Sequence, residues 1–534
     1  MALGPYFNKA ALSAAATIRG FDFQTFRSLL ENKRVAVAFD ASAARSREAR
    51  LTVSLLVDLC ARFYSHIAII AVGSSTPIER QLIDVCASRA KAINPMVSIV
   101  DSIEAVDACV VIGNSSPGLT GPICHVGSVG WISEISRGGH VSLGSSNLAF
   151  GAGAAACLGA AQMFVDVFRD QMQDGDTGLL SESQSHDQVI RLSLLSSGLI
   201  DAQSQEVGGV PSIINISGAV LVGAGAIGNG AIWALANTAS VTGELVVVDP
   251  ENVELSNLQR YVLSSVDDIG KAKVDLAAQY VSSLRADMSI RAELGTWAEY
   301  VAQRPGHKTD RVLVALDTAE DRVGVQSSLP RWLINAWTQP QNLGVSRHPE
   351  FGEKACLACL YLPVGQRKSR DVLVAEAVGA IGPQELLEVR TLLHDSRPVG
   401  EAFVRRTAER LRISYEAIAE FANRELADFY TEAVCGGLTI SLGASHESAQ
   451  TAEVPLPFQS TLAGILLAGE LFIDVSGSRN YPLPCRTELN VLRPLGSFLN
   501  VPTGRNLEGR CICGDEDFIR AYQLKYATAA TTAQ

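Results

Sequence analysis

The stretch GAVLVGAGAIGNGAIWALANTASVTGELVVVDP (218–250) contains an apolar run, a glycine cluster, a helical pattern and a second apolar run that closes on Asp249-Pro250. In that order the pieces make a strand–helix–strand unit of a parallel α/β sheet. Gly223, Gly225 and Gly228 form Gly-x-Gly-x-x-Gly where the first strand meets the helix. Glycines there allow a tight turn and let backbone N–H groups and the helix N-terminus approach a phosphate. A close-packed strand–helix turn also needs glycine, so the motif takes its meaning from its position after a strong strand. Asp249 ends the second strand, where an acid accepts hydrogen bonds from ribose hydroxyls; its alternative role is to start the turn before Pro250.

Next come a helix (GKAKVDLAAQYVSSLRA), a short strand (MSIRAELG) and a strand RVLVALD (311–317). Just past Asp249, the run VVVDPENVELSNLQRYVLSS (246–265) supplies Asn257 and Arg260, and Lys273 follows. A nicotinamide dinucleotide has no polyphosphate tail that needs several cations. A nucleoside triphosphate does, because negative charge shifts among its phosphates as pyrophosphate leaves. Asp317, at the end of RVLVALD, stands where a carboxylate can hold Mg²⁺. The alternatives are solvated helix faces for the cations and a helix N-cap for Asp317.

A fainter copy of this pattern lies upstream. KRVAVAFD (33–40) is a strand that ends without glycines, and SHIAIIAVG, MVSIVD and DACVVIG follow with helical segments between. LAFGAGAAACLGAAQMF (148–164) also matches LPFQSTLAGILLAGELF (456–472): Phe164 and Phe472 are equally placed from Phe150 and Phe458. Internal similarity of this kind points to duplication, the alternative being two unrelated Ala-rich helices. The polar run 169–188 reads as a linker, and the amphipathic helical run between about 364 and 450 as an insertion into the second half.

With 534 residues the chain suggests two to four domains. It is 47% apolar and 19% charged, ordinary for a protein with sizeable cores. A net charge of −12 argues against a general nucleic-acid or anionic-membrane binder. The two Ala/Leu-rich stretches read as too short and too interrupted to span a bilayer. No signal peptide is evident, and eleven scattered cysteines suit cytoplasmic thiols plus a metal site. Cys356 and Cys359 make Cys-x-x-Cys, and Cys511 and Cys513 make Cys-x-Cys; four thiolates in two knuckles suit tetrahedral Zn²⁺, the alternative being redox or unliganded thiols.

The set GAGAIG…VVVDPENVELSNLQR…GKAK…ALDTAEDR resembles the adenylation domain shared by ubiquitin-activating enzymes and the ThiF/MoeB-type activators of sulfur-carrier proteins. The likeness covers most of 190–365 and returns at 453–515. It implies an α/β chain of two Rossmann-like adenylation folds in tandem. An inactive half would span 1–170, followed by a linker at 171–190 and the ATP-binding part of an active half at 191–363. The insertion would take 364–450, and the active fold would close at 451–534. By resemblance Asp249 binds the ribose; Asn257, Arg260 and Lys273 contact the triphosphate; Asp317 holds Mg²⁺; and Arg322 is structural. Glu251 stands where many members have aspartate, and Tyr261 where glutamine is common. The two cysteine knuckles correspond to a zinc staple, although the second pair is one residue shorter than usual.

The family also uses an arginine near the start of one half to reach the partner's ATP site. Arg19 is the candidate, with Arg27 as the alternative and a solvated helix face as the third reading. Cys435, followed by Gly436 and Gly437, is the candidate thioester nucleophile; a buried cysteine at a glycine C-cap is the plain alternative, and Cys485 a rival. The implied activity is ATP-dependent activation of a small ubiquitin-like protein with a C-terminal glycine, then transfer to a ubiquitin-conjugating-type enzyme. The alternatives are adenylation of a sulfur carrier or ribosomal peptide without an enzyme thioester, and a non-catalytic scaffold. A homodimer of the fused chain is compatible with either activity.

Overall fold

The computed structural model describes residues 18, 23–73, 76–172, 176–180, 188–201, 213–339, 342–362, 369–430, 433, 455–494, 500–506 and 511–527. The first sheet contains β1 (Arg34–Phe39), β2 (His66–Ala71), β3 (Ser98–Val100), β4 (Ala108–Ile112), β5 (Ile123–Val129), β6 (Ile132–Ser136), β7 (Val189–Ser193) and β8 (Gly198–Leu199). Its spatial order is β3-β2-β1-β4-β5-β6-β7-β8. The second contains β9 (Ile214–Asn215), β10 (Ala219–Val222), β11 (Val241–Asp249), β12 (Met288–Leu294), β13 (Arg311–Val314), β14 (Trp332–Thr338), β15 (Leu343–Pro349) and β16 (Arg486–Leu489). Its order is β12-β11-β10-β13-β14-β15-β16, with β9 beside β11.

Both sheets therefore follow one plan, strand order 3-2-1-4-5 in parallel and then antiparallel strands. β4 and β10 are buried along their whole length. Coverage on both faces explains why they read as unbroken apolar runs rather than as alternation. The protein is a mixed α/β chain built on two parallel-dominated, Rossmann-like sheets.

The first sheet reaches further than the polar run 169–188 suggests. Val189–Ser193 pairs with β6 and Gly198–Leu199 with β7. That run therefore connects elements of one lobe, and the changeover falls beyond Leu199 instead of at 171–190. Polarity did not say which sheet the next strand would join, and Asp176, Leu179 and Leu180 within the run are buried.

The helices that matter here are α1 (Arg47–Ala61), α2 (Pro77–Ile93), α3 (Phe150–Val167), α4 (Ala226–Asn237), α5 (Lys273–Leu284), α6 (Ala319–Ser327), α7 (Pro457–Ser476) and α8 (Glu516–Tyr526). At 18 and 20 residues, α3 and α7 are long and apolar enough to cross a membrane by length and composition, contrary to the expectation that they are too short. Their apolarity has a structural cause: they are packed between the two sheets, with 100% and 89% of their most apolar windows buried. Phe150 meets Phe472 at 5.5 Å between ring centroids, and Phe164 meets Phe458 at 6.1 Å. The first aromatic of each helix thus touches the last of the other, the reciprocal pattern of a two-fold-related pair. One apolar core runs through both lobes.

α7 also lies directly on α4. A Cβ at Gly230 would come within 2.6 Å of the Thr461 carbonyl, and one at Gly464 within 2.1 Å of the Ile227 carbonyl. Arg347 of β15 and Arg479 bind the buried Glu470 carboxylate, tying the far end of α7 to the sheet. Burial works against that charge, but the two guanidiniums outweigh it and hold the carboxyl down at about 2.

Arg370–Ala377, Gly382–His394, Glu401–Leu411 and the short Leu426–Phe429 enclose a core of their own that includes Val389, Phe403, Val404, Phe421 and Phe429.

Gly230→Ala should overpack the α4–α7 contact, a change that costs about 1–3 kcal/mol, and lower the midpoint of thermal unfolding. Gly400→Ala, with nothing within 4 Å of the added carbon, should leave it unchanged. Glu470 has a folded pKa below its unfolded value of 4.5, so its contribution is present above 4.5 and lost as pH falls toward about 2. Glu470→Gln should therefore lower the midpoint at neutral pH, and the gap to wild type should close as pH drops through that window.

Candidate functional site

The site is at the carboxyl ends of β10, β11 and β13, where ligands of open parallel sheets bind. Gly223 adopts φ +96°, and a Cβ on it would press to 2.5 Å from the Ala315 carbonyl. Gly228 sits behind the turn, where a Cβ would meet the Gly223 carbonyl at 2.2 Å. Gly225 is the N-cap of α4 and offers no side chain to its first turn. The N–H groups of that turn are left for an incoming acceptor.

Asp249 is buried beside this loop. Its Oδ2 accepts from the Ala224 N–H at 2.7 Å and its Oδ1 from the Glu251 N–H at 2.9 Å. The carboxylate therefore fixes the glycine loop while facing the crevice. Burial raises its pKa, and Lys273 pulls in the opposite direction.

Lys273 opens α5 and is only 5% exposed, so it is not on a solvated face. Its ammonium pairs with Glu251 and lies 5.2 Å from the centre of the Tyr261 ring. Burial disfavours its charge, but Tyr261, Asp249 and Glu251 more than compensate and hold its pKa above the ordinary lysine value. Glu251 and Tyr261, the two departures from the family pattern, are thus the two partners of this lysine.

Arg260 lies against the same ring, 5.7 Å from its centre. Its Nη1 is buried without a hydrogen-bond partner among the described residues. An orphaned guanidinium nitrogen against Tyr261, which lines the crevice beside Lys273, fits an anionic ligand, although Arg260 itself is not among the residues lining that crevice. Asn257 is buried in the turn Leu255–Gln259, where its Oδ1 accepts from the Glu254 N–H at 2.9 Å.

β13 ends at Val314, earlier than the run RVLVALD suggests, and Asp317 stands in the loop beyond it. The N-cap of α6 is Thr318, not Asp317, so capping does not explain the acid. Asp317 lines a crevice of 530 Å³ together with Gly223, Gly225, Asp249, Tyr261 and Lys273, and also a neighbouring cleft of 330 Å³. Arg322 is buried and donates from Nε to the Leu316 carbonyl at 2.9 Å, which pins the residue before Asp317.

Sequence reasoning missed Asn229, in the first turn of α4. Its Nδ2 donates to the Ala224 and Gly225 carbonyls at 2.8 and 3.0 Å, and its Oδ1 accepts from the Leu263 N–H at 3.2 Å. Its place directly after the third glycine of GAGAIGN was the available signal.

The four knuckle cysteines form one cluster, away from the residues lining the crevice. Cys511 lies 3.4 Å from both Cys356 and Cys359, Cys359 lies 3.4 Å from Cys513, and Cys356 and Cys359 are 3.9 Å apart. Four thiolates about 2.3 Å from a tetrahedral ion stand about 3.8 Å apart, so the cluster is compatible with zinc.

Cys485 lines a separate groove, and burial pushes its thiol up, away from nucleophilic character. Cys435 and Arg19 lie outside the described residues, as does the side chain of Arg27.

A model of the ThiF family matches residues 212–426, and one described as prokaryotic E2 family C matches residues 38–169. The chain is 41% identical over 531 residues to an uncharacterized protein, y4jF, of Sinorhizobium fredii, covering 99% of this chain and 98% of that one. It is 51% identical over 71 residues to the SAMP-activating enzyme E1 of Haloferax volcanii, covering 13% of this chain and 26% of that one. It is 28% identical over 192 residues to the sulfur carrier protein ThiS adenylyltransferase of Escherichia coli, covering 34% of this chain and 74% of that one. The ThiF match falls on the lobe that holds the crevice, and the chain belongs to the ThiF/MoeB-type, E1-like family.

Proposed function

We propose that this protein activates the C-terminus of a small ubiquitin-like protein by adenylation and then carries it as a thioester on Cys435 for transfer to a conjugating-type enzyme. The observation that carries the first step is the Nη1 of Arg260, without a partner among the described residues, against Tyr261, whose ring lines one crevice with Lys273, Asp249, Asp317 and the glycine loop.

In this reading the triphosphate lies on the N-terminus of α4 and Asp249 takes the ribose. The partner's terminal carboxylate oxygen attacks the α-phosphorus, the bond to the β-phosphate oxygen breaks, and pyrophosphate leaves. Arg260 and Lys273 stabilise the charge gathering on it, with Asn257 contacting the phosphates. Asp317 would hold Mg²⁺, which supplies further charge neutralisation when bound. The 330 Å³ cleft that shares Asp317, lined by Trp337, Asn342, Tyr361 and Arg486, supports an approach path for the partner's extended C-terminus. The Cys435 thiolate then attacks the acyl carbon and AMP departs.

The first lobe is read as the inactive copy. It repeats the strand order, but Asp40 follows β1 where Gly223 follows β10. The Asp40 Oδ1 accepts from the Ser42 and Ala43 N–H groups at 2.8 and 2.9 Å. An internal carboxylate thus takes the N–H groups a phosphate would need. In this reading Arg19, or else Arg27, reaches the ATP site. The similarity to a ThiS adenylyltransferase favours one second reading, adenylation of a sulfur carrier without a thioester. Zinc on Cys356, Cys359, Cys511 and Cys513 would staple α8 and its small core of Phe351, Ile519 and Tyr522 to the second lobe.

ATP–pyrophosphate exchange with candidate ubiquitin-like partners tests the first step. Arg260→Ala and Asp317→Asn should each lower it about 10²-fold or more; no exchange with any partner favours a scaffold. Cys435→Ala should keep exchange and abolish the reductant-sensitive adduct; an adduct that persists sinks the assignment. Metal analysis should find one zinc per chain, and Cys513→Ser should lose it together with thermal stability.

A further inference from the structure

The segment 257–265 carries Asn257 and Arg260, and most of its hydrogen bonds described here come from outside it. On one side Asn229 joins the Leu263 N–H to the carbonyls of the glycine loop. On the other side the first lobe reaches across. Arg62, directly after α1, is completely buried; its Nη1 donates to the Leu258 carbonyl and its Nη2 to the Ser264 carbonyl at 2.8 Å. Arg89 of α2 donates from Nη2 to the Val262 and Leu263 carbonyls at 3.1 and 2.8 Å. Asp58 of α1 holds Arg89 in turn, with Nε to Oδ2 at 3.2 Å.

Four carbonyls that bracket Arg260 are therefore held by two guanidiniums from the other lobe. Neither arginine is among the residues lining the crevice. Guanidinium suits this task, because its donors are fixed in one plane and its charge does not titrate away. An irregular segment without ladder bonds of its own would otherwise leave those buried carbonyls unsatisfied.

We propose that Arg62 and Arg89 are positioning residues of the nucleotide site: the first lobe sets the geometry of Arg260 by clamping the backbone on either side of it. This rests on the reading of the crevice as an ATP site. It gives the first lobe a role in the chemistry that requires no nucleotide of its own.

Two measurements on the full chain separate this proposal from the reading beneath it. Hydrogen–deuterium exchange on the free protein should show amides 257–265 exchanging about tenfold faster in Arg89→Ala and in Arg62→Lys, with the first sheet unchanged. Arg62→Lys keeps the charge but offers one ammonium to two carbonyls. Arg89, whose side chain is 31% exposed, is the variant that keeps the fold if Arg62 does not tolerate change. In ATP–pyrophosphate exchange, Arg89→Ala should lower kcat about tenfold while the KM for ATP moves less than about twofold. Added to Arg260→Ala, it should cost less than about twofold more, because it acts through Arg260. Unchanged amide exchange at 257–265 in both variants, or fully multiplicative losses in the double variant, overturns the proposal. A wild-type chain without pyrophosphate exchange overturns the ATP reading instead, and the amide-exchange result still decides whether the clamp exists.

Discussion

At Gly230 and Gly464 the contact of α4 with α7 leaves no room for a side chain, and most of the architecture follows from it. α4 starts at the glycine loop, so any movement of the helix would move the N–H groups aimed at the crevice. Gly230 and Gly464 let the two backbones touch, and the contact is rigid because neither side has anything to rearrange. α7 can fill that place only if the chain returns from the helical insertion to the centre of the molecule. The insertion is accordingly a separate body with its own core, and α7 passes on to meet α3 of the first lobe.

Lys273 is the one cation among the residues lining the crevice, against five acids. Lys273 leans on Glu251 and Tyr261, and Arg260 shares the same aromatic ring. The two lobes treat the start of the helix after their first strand in opposite ways. One presents a bare glycine turn, and the other seals its turn with its own aspartate. The two lobes thus differ in a few residues after the first strand of each sheet.

The sequence made the parallel strands legible because both faces are covered, so β4, β10 and the stretches 35–39 of β1 and 245–248 of β11 are apolar without interruption. Asp249, Lys273 and Asp317 were legible because their positions relative to strands and glycines are set by the sheet. The lobe boundary was not, since polarity at 169–188 carries no information about pairing partners. The lengths of α3 and α7 were underestimated because glycines and polar residues that fit a helix–helix seam look like interruptions in one dimension. Arg62 and Arg89 were invisible for a related reason. They bind backbone carbonyls of a segment about 170 to 200 positions away, and carbonyls leave no trace in residue identity.

The reciprocal aromatic contacts of α3 and α7 join the two lobes as two subunits would be joined, yet one chain contains both. Separate subunits would gain and lose that seam by mass action, and at low abundance the crevice would come apart with it. Covalent linkage replaces that equilibrium with an effective concentration fixed by the tether. The crevice and the seam behind it then stay together at any dilution.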